Sequence, residues 1–69
     1  MLKTLTAVIH KESDWYVAEC PEAGTVSQGS TIEESISNLQ EATELYLEEI
    51  GTTVFERSFI TTFEASVNA

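Results

Sequence analysis

Few residues in this chain could do chemistry, and none of them falls into a working constellation. The 69 residues contain one histidine, His10, and one cysteine, Cys20, against twelve carboxylates. A lone imidazole without a serine, cysteine or carboxylate at a diagnostic spacing is a poor basis for a nucleophile–base pair. Cys20 stands between Glu19 and Glu22, whose negative charge opposes formation of the reactive thiolate. Glu33, Glu34, Glu41, Glu44 and Glu48 could be imagined as acids or metal ligands. Acid–base work needs carboxylates converging on one pocket in contrasting environments, whereas these diverge along a solvent-facing stripe. Gly24 and Gly29 are followed by no lysine or arginine that would mark a phosphate cradle. The sequence predicts no catalytic residue, no metal site and no cofactor.

The element that must organise the rest is residues 30 to 50. At about 100° per residue, Ile32, Ile36, Leu39, Thr43, Tyr46, Leu47 and Ile50 share one face, with Ala42 at its margin and the glutamates opposite. Thr31 followed by Glu34 fits a capping box, and Gly51 stands where a left-handed stop belongs. Burying each large apolar side chain contributes roughly 1.5–3 kcal/mol. Ordering the backbone opposes this by about 1–2 kcal/mol per residue. The helix therefore needs a partner surface, and only flanking strands can supply it.

Residues 2 to 10 alternate through Leu5, Ala7 and Ile9 and predict a first strand, followed by a polar loop from Lys11 to Asp14. Trp15 to Cys20 reads as a second strand, and Pro21 to Gly24 as a turn. Thr25 to Gln28 makes a short third strand ended by Gly29. Residues 51 to 57 give no readable conformation, and Ser58 to Val67 alternates again as a fourth strand. A helix between two strands of one sheet normally makes a right-handed crossover between parallel neighbours. The expected fold is thus α+β: β-β-β-α-β, one helix on one face of a four-stranded mixed sheet in the order 3-2-1-4. The face away from the helix is expected to show Val8, Tyr16, Ala18, Val26 and Ile60 as a contact surface.

Residues 1–69 make a single domain, close to the size below which a core needs disulfides, metal or oligomerisation. One cysteine excludes an intrachain disulfide, so a homo-oligomer is expected. No apolar run spans a bilayer and the first residues do not read as a signal peptide, so the expected location is cytoplasmic. Three Lys+Arg against twelve Asp+Glu give a net charge of −9. That charge disfavours direct DNA, RNA or anionic-membrane binding and favours a basic protein partner.

The run from Trp15 to Gly29, continued by Thr31-Ile32-Glu33-Glu34-Ser35-Ile36-Ser37-Asn38-Leu39-Gln40-Glu41-Ala42 and Glu44-Leu45-Tyr46-Leu47-Glu48, resembles the HicB family. The match runs over about residues 5 to 50 and, with the fourth strand, over nearly the whole chain. Ser35 replaces an alanine common in the family. The resemblance implies a partial, degenerate RNase H-like fold, catalytically empty because residues 2 to 10 hold no acid. It also implies an antitoxin that binds and masks a small basic HicA-type, mRNA-cleaving toxin. Tyr16, Glu19, Glu22, Glu33 and Glu34 are the expected partner-facing residues. Many HicB proteins carry a C-terminal DNA-binding module, and with none read here autorepression is not expected. The other expectation is a stand-alone homo-oligomeric scaffold or small-ligand binder without a toxin.

Overall fold

The computed structural model describes residues 2–51 and 58–68. Three antiparallel strands are followed by one helix: β1 (Val8–Glu12), β2 (Trp15–Cys20), β3 (Thr25–Gly29) and α1 (Ile32–Ile50). The sheet order is β1-β2-β3.

The hairpin between β1 and β2 is tighter than the polar run suggested. Lys11 pairs with Tyr16 and Glu12 with Trp15, so only Ser13 and Asp14 form the loop. Ser13 takes a positive φ of 55° to close it. At the other end the ladder stops at Val8, which pairs with Glu19. Continuing that register would place Thr6 opposite Pro21, which has no N–H to offer. The first strand is accordingly Val8–Glu12, and residues 2–7 run on without ladder pairing. Gly24, at φ 74°, closes the β2–β3 turn by donating its N–H to the Cys20 carbonyl at 2.8 Å.

The helix ends follow their local chemistry. Thr31 is the N-cap, its hydroxyl accepting from the Glu34 amide at 3.0 Å. The Glu34 carboxylate reaches back to the Ser30 amide at 2.7 Å. Gly51, at φ 66°, ends the helix with its N–H on the Leu47 carbonyl at 2.9 Å.

Strand pairing divides the sheet into two faces. Ile9, Lys11, Tyr16, Ala18, Cys20, Thr25, Ser27 and Gly29 share one; Val8, His10, Glu12, Trp15, Val17, Glu19, Val26 and Gln28 share the other. The helix packs on the first, chiefly over β3 and less over β2. Ala18, Cys20 and Leu39 form the buried core, with Leu5, Ile9 and Ala23 against it. Ser35 and Thr43 are buried beside them. The open-face expectation is therefore corrected at two positions: Ala18 is buried beneath the helix and Tyr16 lies on the same side, while Val8 and Val26 do face away from it.

The fourth strand is also corrected. Residues 58–68 have no regular secondary structure, so the fold is β-β-β-α and not a four-stranded sheet of order 3-2-1-4. Alternation gives a segment two different faces, but a strand exists only where a neighbour takes its backbone hydrogen bonds. Phe59, Ile60, Phe63 and Val67 all remain exposed. Residues 52–57, whose conformation the sequence leaves open, lie outside the described residues.

Candidate partner-binding surface

The five expected partner-facing residues do not form one patch. Glu19 points to the open face of the sheet. Tyr16, half-buried, lies on the helix side directly across from Gly29. Gly29 in turn packs against the start of α1, so Tyr16, Glu33 and Glu34 gather near the helix N-terminus. Part of the Glu34 carboxylate is committed there to Ser30, leaving Glu33 as the freer charge of the pair. Carboxylates at that position are favoured by the positive end of the helix dipole.

Glu22 is engaged inside the chain. Its carboxylate accepts the Thr6 amide through both oxygens at 3.1 Å and the Thr6 hydroxyl at 2.6 Å. The Cys20 thiol donates to the same group at 3.5 Å. The Thr6 hydroxyl, the largest influence, holds the Glu22 carboxyl below its ordinary value, and its other hydrogen bonds act in the same direction against the opposing effect of burial. Cys20 is itself buried.

The open face carries a feature that the sequence reading did not single out. Trp15 is 49% exposed at one end of the face, and Val26, 57% exposed, and Val8 are exposed at the other. Pairing sets Trp15 opposite Glu12, His10 opposite Val17, and Glu19 between Val8 and Val26. His10 lies 3.9 Å from Glu12 on this face. The result is an apolar surface with an indole at one end and carboxylates interleaved. The alternation of Trp15, Val17 and Glu19 was the available signal. Tyr16, Ala18 and Cys20 alternate just as regularly on the opposite parity.

On the helix side, α1 leaves the β1 flank uncovered. A groove of about 410 Å³ opens there between residues 2–7 and the helix, lined by Leu5, Ala7, Cys20, Ile36, Leu39 and Leu47 among others. Among the described residues, no group of three or more His, Cys, Asp or Glu could hold a metal ion. Nor is any described helix long and apolar enough to cross a membrane.

No protein-family profile matches the chain. It is similar to a protein of Helicobacter pylori strain J99 that is named only as a UPF0150 protein. The two are 48% identical over 44 residues, 62% of this chain and 61% of the relative. The matched stretch thus spans less than two thirds of either protein. No solved structure matches.

Proposed function

We propose that this chain is a HicB-like interaction module that binds and masks a small basic partner of the HicA type, an mRNA-cleaving toxin. The observation that carries the reading is the open sheet face. It offers an aromatic anchor, Trp15, at one end beside Glu12, and exposed valines, Val8 and Val26, on either side of Glu19 at the other, on a chain of net charge −9. Interfaces favour such an arrangement, in which a large aromatic fills a pocket while surrounding charges steer the encounter. A basic nuclease covered this way would lose the surface its phosphate-rich substrate needs. The similarity to a UPF0150 protein and the HicB-like motifs from Trp15 to Glu48 support the same reading.

The test is inhibition of RNA cleavage by a HicA-type ribonuclease from the same genome. An equimolar amount of the chain should abolish cleavage at low salt. Trp15→Ala should weaken binding by at least about tenfold, as expected for a large aromatic anchor. Undiminished cleavage in the presence of a stoichiometric excess of folded chain would refute the reading.

A further inference from the structure

The three-stranded sheet has two outer strands, β1 and β3, and the helix engages only one of their edges. A two-residue loop joins β1 to β2, so the pair that closes it, Glu12 and Trp15, meets by exchanging both backbone hydrogen bonds. Alternation along the ladder commits Val8, His10 and Glu12 to β2 and turns the N–H and C=O groups of Ile9 and Lys11 outwards. On β3 the outward groups are those of Val26 and Gln28. There α1 packs closely, and the Asn38 side-chain amide donates to the Gln28 carbonyl at 2.8 Å. No described strand pairs with the outer side of β1. An uncovered edge of this kind is a template for a strand of another chain.

We propose that β1 pairs with β1 of a second copy, antiparallel and centred on His10, to join two three-stranded sheets into one. The observation that selects a second copy is the asymmetry of the two edges. With β3 engaged by its own helix, two chains share a sheet through β1, and the two-fold pairing occupies both bare edges at once. It therefore closes on itself and does not grow into a fibre. In this register Ile9 of each copy exchanges hydrogen bonds with Lys11 of the other, which satisfies every outward group of Ile9 and Lys11. Charge permits the approach, since Val8–Glu12 holds one lysine and one glutamate. Glu12 of each copy faces Val8 of the other, so no carboxylate stands opposite another. Lys11 lies across from the half-buried Ile9, where its methylene stem covers the side chain and its ammonium stays in water. Centring on His10 overlaps the whole of β1; centring on Lys11 would set lysine against lysine.

The pairing also extends the open face. In one chain Trp15 stands at one end of that face and Val8 and Val26 at the other. Across the joined edge, the row Val26, Glu19 and Val8 continues into Glu12 and then Trp15 of the second copy. The indole of each chain thus comes into line with the valines of the other. A second copy suits the small core as well, whose buried hydrophobic members among the described residues are Ala18, Cys20 and Leu39. The inference concerns the sheet edge and stands independently of the masking reading.

The test is light scattering coupled to gel filtration on the full chain, with variants that touch the outer side of β1. The expected mass at about 100 μM is twice the 7.6 kDa of one chain. Lys11→Pro removes an N–H that faces the second copy and none that faces β2, so the dimer dissociation constant should rise about 100-fold or more. Lys11→Thr keeps the N–H and should leave the dimer intact. Circular dichroism should be the same for both variants, showing that β1 still pairs with β2. A cross-link tests the register without altering the backbone. Under mild oxidation His10→Cys should form a disulfide between copies, because residue 10 meets its counterpart at the two-fold axis with about 4.5 Å between Cα atoms. Glu12→Cys should not, since its counterpart lies about 13 Å away. Cys20 is buried and should take no part. A monomeric wild type, a dimer indifferent to Lys11→Pro, or cross-linking of Glu12→Cys in preference to His10→Cys would each overturn the proposal. So would a dimer whose His10→Cys variant stays reduced, because another segment or another register would then occupy the edge.

Discussion

The Glu22 carboxylate binds the backbone amide and the hydroxyl of Thr6, at 3.1 and 2.6 Å, where the β-ladder has run out of partners. Pro21, the residue that register would set opposite Thr6, cannot donate. The side chain one position later instead anchors residues 2–7 to the β2–β3 turn. This contact fixes one wall of the helix-side groove, which Thr6 helps to line.

That anchor should be sensitive to acid. The Glu22 carboxyl is held below its ordinary value in the folded chain, so its ionised form stabilises the fold. The contribution is fully present above the ordinary carboxylate range and is lost as pH falls through the lowered folded-state value. Glu22→Gln should remove this part of the acid dependence in urea titrations carried out between neutral and strongly acidic pH. In the same variant the Thr6 amide should exchange its hydrogen faster at neutral pH. An unaltered acid limb of the stability curve would show that the anchor carries no such linkage.

Gly29 gives a steric prediction. A Cβ placed there would come within 2.6 Å of the Ser35 amide nitrogen and 2.9 Å of Glu34 backbone and side-chain carbon. The obstacle is largely helix backbone, which cannot rotate aside. Gly29→Ala should therefore destabilise by about 3 kcal/mol, the upper part of the overpacking range. Gly24 supplies the contrast: its φ is +74° with nothing within 4 Å, so Gly24→Ala meets only the left-handed penalty of about 1–2 kcal/mol. Urea midpoints should fall more for the Gly29 variant than for the Gly24 variant, and the reverse order would refute the packing account.

The same close approach explains which features could be read from the sequence. Helix caps and the Pro21–Gly24 turn were legible because Thr31, Glu34, Gly24 and Gly51 act on backbone groups within a few residues of themselves. The faces of β2 were not, because both parities carry apolar residues and size suggests the wrong one. Ala18 is fully buried beneath the helix and Trp15 lies on the other face. The helix stripe is shifted as well: Ser35, Leu39 and Thr43 are buried, while Ile32, Ile36, Tyr46 and Ile50 stay exposed. Glu22 looked like a surface charge since its partner, Thr6, is sixteen residues away. The alternation in 58–68 was real, but periodicity alone cannot say whether a neighbour exists.

Thr25 and Thr43 join β3 to α1 through a hydroxyl–hydroxyl hydrogen bond of 2.6 Å, with Thr43 buried. Thr43→Val removes one partner and leaves the other poorly satisfied, for a cost of about 1–2 kcal/mol. Thr25→Val with Thr43→Val replaces both polar groups by apolar ones of the same shape and should recover most of that loss. A double-mutant cycle on thermal or urea unfolding should then give a coupling energy of about 1 kcal/mol. Simple additivity of the two single variants would mean that the bond contributes nothing to holding the helix on the sheet.

The placement of the acidic residues makes the proposed masking surface divisible. Glu12 and Glu19 lie on the open sheet face beside Trp15 and Val26, whereas Glu33 and Glu34 stand at the start of α1 on the other side of the sheet. A basic partner seated on the open face should lose affinity strongly when Glu12 and Glu19 are reversed to lysine, with a reduced slope of affinity against salt. Reversal of Glu33 alone should leave binding nearly unchanged. Glu34 is less suited to this comparison, since its carboxylate holds the Ser30 amide and its loss also weakens the helix start. Titration calorimetry at two salt concentrations separates the cases. If reversal of Glu33 costs more affinity than reversal of Glu12 and Glu19 together, the partner sits at the helix N-terminus near Tyr16, and the open face has another use.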